Sequence, residues 1–160
     1  MNDFQIIFKP TEPAHTPPDI DLLAQEFQSN DWSIPEAFLC LILSAAYADH
    51  QLAEEEKQEI AALIRRSRTM KRHTGTELAE LNQAVVLKLR ERKDAVKEAC
   101  QALPVDMRPS IFAHCVDIVL ADGQLLQLEA EFLNQITAFL SISADVAQQI
   151  QRVVMIKNRY

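Results

Sequence analysis

Glycine is nearly absent from this 160-residue sequence, which contains only Gly75 and Gly123. A β-sandwich or a Rossmann-type fold of this length needs more turns with positive φ than two glycines can supply. The commonest residues are instead good helix formers such as Leu, Ala, Glu and Gln. Hydrophobic residues make up 48% of the chain, which is enough for a real core. We therefore predict an all-α protein.

Cysteines and long apolar runs are also few. The three cysteines, Cys40, Cys100 and Cys115, form no CxxC pair, so we expect core positions for them and neither a disulfide nor a zinc framework. The longest mainly apolar stretch, Ala37–Ala48, has twelve residues, whereas a bilayer span needs about 20. The N-terminus does not resemble a signal peptide. We expect a cytoplasmic protein with no direct membrane insertion.

Catalytic signatures are missing too, since no GxSxG, HExxH, P-loop or dinucleotide-binding motif occurs. We therefore expect no enzymatic activity. Two classes remain open: an interaction module that binds an ion, and a protein-interaction scaffold that uses only its surface charge.

The charges present are strongly segregated. Residues 1–64 hold 2 basic and 12 acidic side chains (net −10), residues 65–108 hold 11 and 6 (net +5), and residues 109–160 hold 3 and 5 (net −2). Opposite-sign surfaces of this kind steer partners or ions. The basic segment Arg65–His73 is predicted to be an exposed and mobile loop that is either merely solvated or docks an acidic protein. No aromatic residue interleaves it, so we expect no nucleic-acid partner.

The pattern of prolines and apolar residues divides the chain into an N-terminal arm, residues 1–18 with four of the seven prolines, and an all-helical domain, residues 19–160. About seven helices are expected in a single domain. Ser33 and Glu36 have the spacing of a capping box, and Trp32 before them is expected to pack against the start of that helix. Besides a short first helix at Asp19–Gln28, the seven predicted helices cover Ser33 to about Asp49, Glu54–Arg66, Thr76–Arg90, Arg92–Leu103, Ile111–Ala121, Leu128–Leu140 and Ser143–Ile156.

One acidic motif occurs twice. Residues 48–56 read ADHQLAEEE and residues 121–129 read ADGQLLQLE, 73 positions later. Each follows an apolar helix and precedes another, so the sequence predicts two similar helix–acidic turn–helix units. Gly123 suits a position with positive φ, which His50 also tolerates in the first copy. Leu52 and Leu125 align and are expected to pin the turns to the core.

The acidic residues of the motif have two possible explanations. In the first, Glu56 and Glu129 lie near the third position of a new helix and accept a hydrogen bond from the N-cap backbone. Ala53 and Leu126 at the cap positions would allow only half of a capping box.

In the second explanation the two turns form one cation site. If the repeats bring their turns together, Asp49, Glu56, Asp122 and Glu129 form a carboxylate cluster suited to Ca²⁺ or Mg²⁺. His50 and Glu55 are possible additional ligands, and His50 would shift the preference to Zn²⁺. The spacing does not match an EF-hand.

The repeated motif resembles that of the TerB tellurite-resistance family over roughly Pro35–Lys157. The second copy matches well, whereas His50 stands where the family usually has glycine. The resemblance implies a helical domain whose acidic residues bind metal ions. It also implies a bacterial role in resistance to tellurite and related stress, alongside a membrane partner and other proteins of that system. Such a partner would place the chain at the inner membrane, and a homodimer is left open.

Overall fold

A computed structural model of the protein describes residues 31–49, 54–121 and 123–159, without the side chains of residues 54–56 and 59. The predicted arm (1–18), the helix expected at Asp19–Gln28, and His50, Leu52, Ala53 and Asp122 lie outside the described residues. The described residues form seven helices and no strand, as the glycine-poor composition predicted. The helices are α1 (Ile34–Ala46), α2 (Glu54–Arg66), α3 (Gly75–Glu91), α4 (Ala95–Ala102), α5 (Arg108–Val119), α6 (Gln127–Phe139) and α7 (Ala144–Lys157).

Polar caps explain where several helices begin. The capping box predicted before α1 is present: the Ser33 N–H donates to Glu36 Oε2 at 2.8 Å, and the Glu36 N–H donates to Ser33 Oγ at 3.3 Å. Thr74 and Glu77 form a second such box before α3. Ser143 accepts from the Val146 N–H at the start of α7, as expected.

Some predicted helix ends were wrong. The helix expected to reach Asp49 ends at Ala46. Helix α4 begins at Ala95 and not at Arg92, because Arg92 adopts an extended conformation with φ −118° and ψ 120°. Helix α5 begins at Arg108, before the predicted Ile111, since Pro109 fits the first helical turn without losing a hydrogen bond.

The internal repeat is visible in the backbone. Helices α2 and α6 each have 13 residues and begin 73 positions apart. Tyr47 directly follows α1 and Leu120 directly follows α5, again 73 positions apart. Their dihedral angles are nearly equal: φ −97° and ψ 9° at Tyr47, φ −94° and ψ 12° at Leu120. Gly123 has the predicted positive φ, 78°.

Helix α1 is the centre of the core. It packs against α3, α4 and most extensively against α5, its counterpart in the second repeat. Helix α7 covers α5, and α6 rests on α4 and α5. The largest side chains in the core include Phe38, Leu41 and Phe112. As predicted, all three cysteines are buried there as free thiols.

One prediction about the apolar residues near the second acidic turn was wrong. Leu125 does not pin the turn to the core, because it is 47% exposed, and Leu128 is 48% exposed. The buried side of α6 instead carries Glu129, Leu133 and Ile136. Leu140 is buried as well, and Phe132 and Phe139 pack partly buried against the core, so the apolar periodicity of this helix is covered except at Leu128.

Candidate functional site

The first acidic turn follows α1. Asp49 lies in this turn and is half-buried. Glu55 and Glu56 lie in the first turn of α2, whereas their side chains, like the whole of His50, are outside the described part of the chain.

The second acidic turn leads into α6. Glu129 is the third residue of that helix and is only 8% exposed. Its Oε2 accepts a hydrogen bond from the Leu126 N–H at 2.8 Å, which is the half capping box that the sequence predicted. Asp122 lies outside the described residues, so the four-carboxylate cluster stays a prediction. Among the described residues, no three His, Cys, Asp or Glu side chains are grouped so that they could hold a metal ion.

A basic segment, residues 65–73 and called the basic turn below, comprises the last two residues of α2 and most of the connection to α3. Its five Arg and Lys side chains are all exposed. The expectation of a wholly exposed loop was nevertheless wrong, because Met70 is 0% exposed and Ser67 is also buried. Ser67 Oγ accepts from the Met70 N–H at 3.0 Å, and the Met70 carbonyl oxygen accepts from the His73 N–H at 3.0 Å. One buried methionine thus anchors a turn whose cations point to solvent.

The cations of the basic turn make few contacts with the part of the chain that the structure describes. None of the five forms a salt bridge with a side chain that the structure describes. The Arg66 Nε donates to the Ala62 carbonyl oxygen at 3.3 Å, which holds that side chain along α2. The turn therefore presents positive charge that is available to a partner.

A polar clasp joins the start of α1 to α3 and α4, and it was not predicted. Arg92 binds both carboxylate oxygens of Asp31 at 2.6 Å and donates to Glu98 at 3.1 Å. Trp32 is 6% exposed and its Nε1 donates to Glu98 Oε2 at 3.1 Å. The Lys88 Nζ lies 4.6 Å from the Trp32 ring centroid, which is within reach of a cation–π interaction.

The clasp lowers the pKa values of its acids. The hydrogen bond from Arg92 holds the pKa of Asp31 at about 2, against an ordinary value of 3.8. The hydrogen bond from Trp32 is the main reason why the pKa of Glu98 is lowered. Burial alone would raise the pKa of Glu36, but the hydrogen bonds from Ser33 and Lys88 outweigh it and the pKa is lowered. These acids therefore stay ionised and act in structure, not in proton transfer.

The residues most suited to nucleophilic chemistry are inactive in the fold. Burial raises the pKa of Cys40 and of Cys100 to about 12, and raises that of Cys115 as well. His114 packs edge-on against Phe38, with ring centroids 5.9 Å apart, and burial lowers its pKa. None of the three cysteines is therefore available as a nucleophile, since a reactive cysteine must be a thiolate.

A comparison with protein families gives one match. The family model described as tellurite resistance protein TerB matches residues 35–152. No curated protein and no solved structure matches the chain. In the described part of the chain, no helix has the length and apolar character needed to cross a membrane.

Proposed function

The chain belongs to the TerB family of tellurite-resistance proteins, and we propose that it acts in bacterial resistance to tellurite and related stress as a non-enzymatic interaction module. Its partners in this proposal are other cytoplasmic proteins of the same system and a membrane partner. That membrane partner would hold the chain at the inner membrane from the cytoplasmic side.

The observation that carries the proposal is the basic turn. Five exposed cations lie within eight positions, from Arg65 to Arg72, on a turn that Met70 anchors. A turn held in one conformation loses less entropy on binding than a free loop. An acidic protein surface complements it in charge, and such complementarity raises association rates and selects partners.

Charge reversal tests the docking proposal. We expect Arg65→Glu, Arg66→Glu and Arg68→Glu together to weaken binding to an immobilised Glu-rich peptide by about tenfold or more, because the rim charges that steer association are inverted. The same variant should capture fewer partner proteins from tellurite-treated cells. Surface plasmon resonance at low and physiological salt would measure the peptide affinity.

A matched control separates the basic turn from net charge. Arg90→Glu, Lys93→Glu and Lys97→Glu change the total charge equally at exposed positions elsewhere, and this variant should bind nearly as the wild type does. An equal loss of peptide affinity in both variants would contradict the proposal that the basic turn is the docking site. Nanomolar binding to duplex DNA at physiological salt, with a steep salt slope, would point to a nucleic-acid role instead.

A second function, binding of a divalent cation by the acidic turns, is favoured by Glu129. At 8% exposure it is the only buried Asp, Glu, Lys or Arg residue in the described part of the chain. Its Oε2 already accepts the Leu126 N–H at 2.8 Å, so a cation would add to this partner and not replace it; buried carboxylates are common ligands of Ca²⁺. The proposed ligands remain Asp49, Glu56, Asp122 and Glu129, with His50 and Glu55 as possible additions. Ca²⁺ or Mg²⁺ fits the carboxylates, and Zn²⁺ fits only if His50 takes part.

Thermal melts with EDTA, Ca²⁺, Mg²⁺ or Zn²⁺ test this site. A cation at about one hundred times its Kd stabilises the folded state by about 2.7 kcal/mol, which raises Tm by several degrees in a domain of this size. The double variant Asp49→Asn, Asp122→Asn should lose that rise. The control Glu80→Gln, Asp106→Asn, at two exposed acids, should keep it. Identical melting curves of the wild type under all conditions would mean that the acidic residues only shape the turns. Protein docking would then remain as the function.

A further inference from the structure

The second half of α7 exposes apolar side chains that the fold does not cover. Val153 is 65% exposed, and Met155 and Ile156 are each 58% exposed. Val154 between them is 7% exposed and faces the core. At about 100° per residue, Val153 and Met155 flank Val154 on either side and Ile156 points nearly opposite to it. The three exposed side chains therefore share the outward face of one helical turn.

Cations surround this outward face. Arg152 precedes the apolar residues and Arg159 follows them, and both are exposed. Neither forms a salt bridge with another side chain in the described ranges, whereas Lys157 is bound to Asp117 at 2.6 Å. No acidic residue occurs after Asp145, which is ten residues before Met155 and thus about 15 Å away along the helix. This end of α7 is locally basic in a chain whose net charge is −7.

We propose that the outward face at the end of α7, together with the two residues after it (residues 152–159), docks directly on an anionic lipid surface. The helix would lie in the plane of the membrane, with Val153, Met155 and Ile156 entering the boundary between headgroups and acyl chains. Arg152 and Arg159 would bind lipid phosphates. Apolar residues flanked by cations on one helix face are the pattern of such interfacial helices.

The dimensions of the face favour lipid over a protein groove. Helix-in-groove recognition uses apolar anchors spread over positions i to i+7, whereas the apolar residues here occupy only 153–156. A lipid surface needs no such spacing and offers negative charge around an apolar interior. The basic turn lacks this combination, because its only large apolar residue, Met70, is buried. The two surfaces therefore suit different partners.

Vesicle binding with the purified full chain tests the inference without any partner protein. We expect cosedimentation with vesicles of phosphatidylglycerol and phosphatidylethanolamine, and much weaker binding to phosphatidylcholine alone. Val153→Gln, Met155→Gln and Ile156→Gln together should weaken the binding by about tenfold or more, since the apolar insertion is lost. Arg152→Glu with Arg159→Glu should weaken it by at least about fivefold per residue and remove its salt dependence.

Controls make the result specific to α7. A variant with Leu87→Gln, Val105→Gln and Leu128→Gln changes three apolar residues elsewhere whose exposure, 48–74%, is comparable, and it should bind as the wild type does. Circular dichroism and Tm would verify that each variant is folded. Absence of wild-type binding to anionic vesicles, or unchanged binding in both α7 variants, would overturn the inference. The inference would also fail if charge reversal at Arg65, Arg66 and Arg68 abolished vesicle binding while both α7 variants still bound. Binding of the α7 face to a Glu-rich peptide, without binding to vesicles, would overturn it as well.

Discussion

At the scale of single residues, burial determines which side chains can react. Cys40, Cys100 and Cys115 are all 0% exposed. The Cys115 Sγ lies 3.8 Å from the Leu41 carbonyl oxygen, deep between α1 and α5. A thiolate would lose its hydration there without gaining a cationic partner, so the protonated form is favoured. The folded protein therefore offers no reactive thiol to tellurium oxyanions at neutral pH.

We predict that none of the three thiols reacts with Ellman's reagent in the native protein and that all three react in guanidinium chloride. The raised pKa values of about 12 for Cys40 and Cys100 also make the stability of the folded protein depend on pH. Their contribution to stability is complete below the unfolded value of 9.0 and is lost as pH rises toward the folded values. Urea unfolding between pH 7 and 11 should show this loss. Rapid labelling of native protein at pH 7 would contradict the buried assignment.

At the scale of helices, two chain reversals rely on left-handed backbone conformations. Gly123 has φ 78° after α5, where a Cβ atom would contact nothing within 4 Å. Ser141 has φ 54° after α6. The Ile142 N–H donates to the Thr137 carbonyl oxygen at 3.1 Å and the Ser141 N–H donates to that of Ala138, also at 3.1 Å, which is the Schellman arrangement. Glycine adopts this geometry without the strain that a Cβ atom brings.

We predict opposite effects of substitution at these two reversals. Gly123→Ala should destabilise the protein by about 1 kcal/mol through backbone strain alone, since no neighbour blocks the methyl group. Ser141→Gly should stabilise it by about 0.5–1 kcal/mol, because relief of strain exceeds the added entropy of the unfolded chain. Chemical unfolding would measure both values. Changes of the same sign in the two variants would contradict the assigned conformations.

At the scale of the whole molecule, the polar clasp joins segments that are distant in sequence. Asp31 lies 61 residues from Arg92, and Trp32 lies 66 residues from Glu98. Lys88 extends the clasp to Glu36 at 3.2 Å. These contacts hold the start of α1 against α3 and α4. Exposed ion pairs contribute little individually, so the clasp matters chiefly as a pH-dependent network.

We predict that the protein loses stability in acid through this clasp. The folded-state pKa values of Asp31, Glu36 and Glu98 lie below their ordinary values of 3.8, 4.5 and 4.5. Their contribution is therefore present above about pH 4.5 and is lost as pH falls toward the folded value of about 2 for Asp31. Tm measured from pH 7 to pH 2 should fall most steeply in this range.

Arg92→Gln identifies the clasp as the cause of this acid loss. Without the guanidinium, the pKa of Asp31 rises toward its ordinary value and the fall of Tm between pH 4 and pH 2 becomes shallower. The neighbouring exposed Arg90→Gln serves as the control and should follow the wild-type curve. Parallel curves for wild type and Arg92→Gln would show that the acid loss arises elsewhere.

The sequence by itself determined the features that depend on neighbours along the chain. Two glycines among good helix formers excluded sheet-rich folds, and the Ser33–Glu36 spacing located the start of α1. The bounds of α2 were predicted as observed, Glu54–Arg66. The 73-residue repeat was also visible, because local caps, turns and helical periodicity are encoded within a few residues of one another.

Only the tertiary structure decided which helix faces are covered and which polar groups meet. Leu125 and Leu128 fit an apolar pattern, yet they are exposed because the packed side of α6 carries Glu129 and Leu133 instead. The meeting of Trp32 with Glu98 has no local signal either, since their separation of 66 residues is closed by the packing of α1 on α4. Periodicity shows that a helix has two faces, but burial depends on neighbours that the chain reaches only after it has folded.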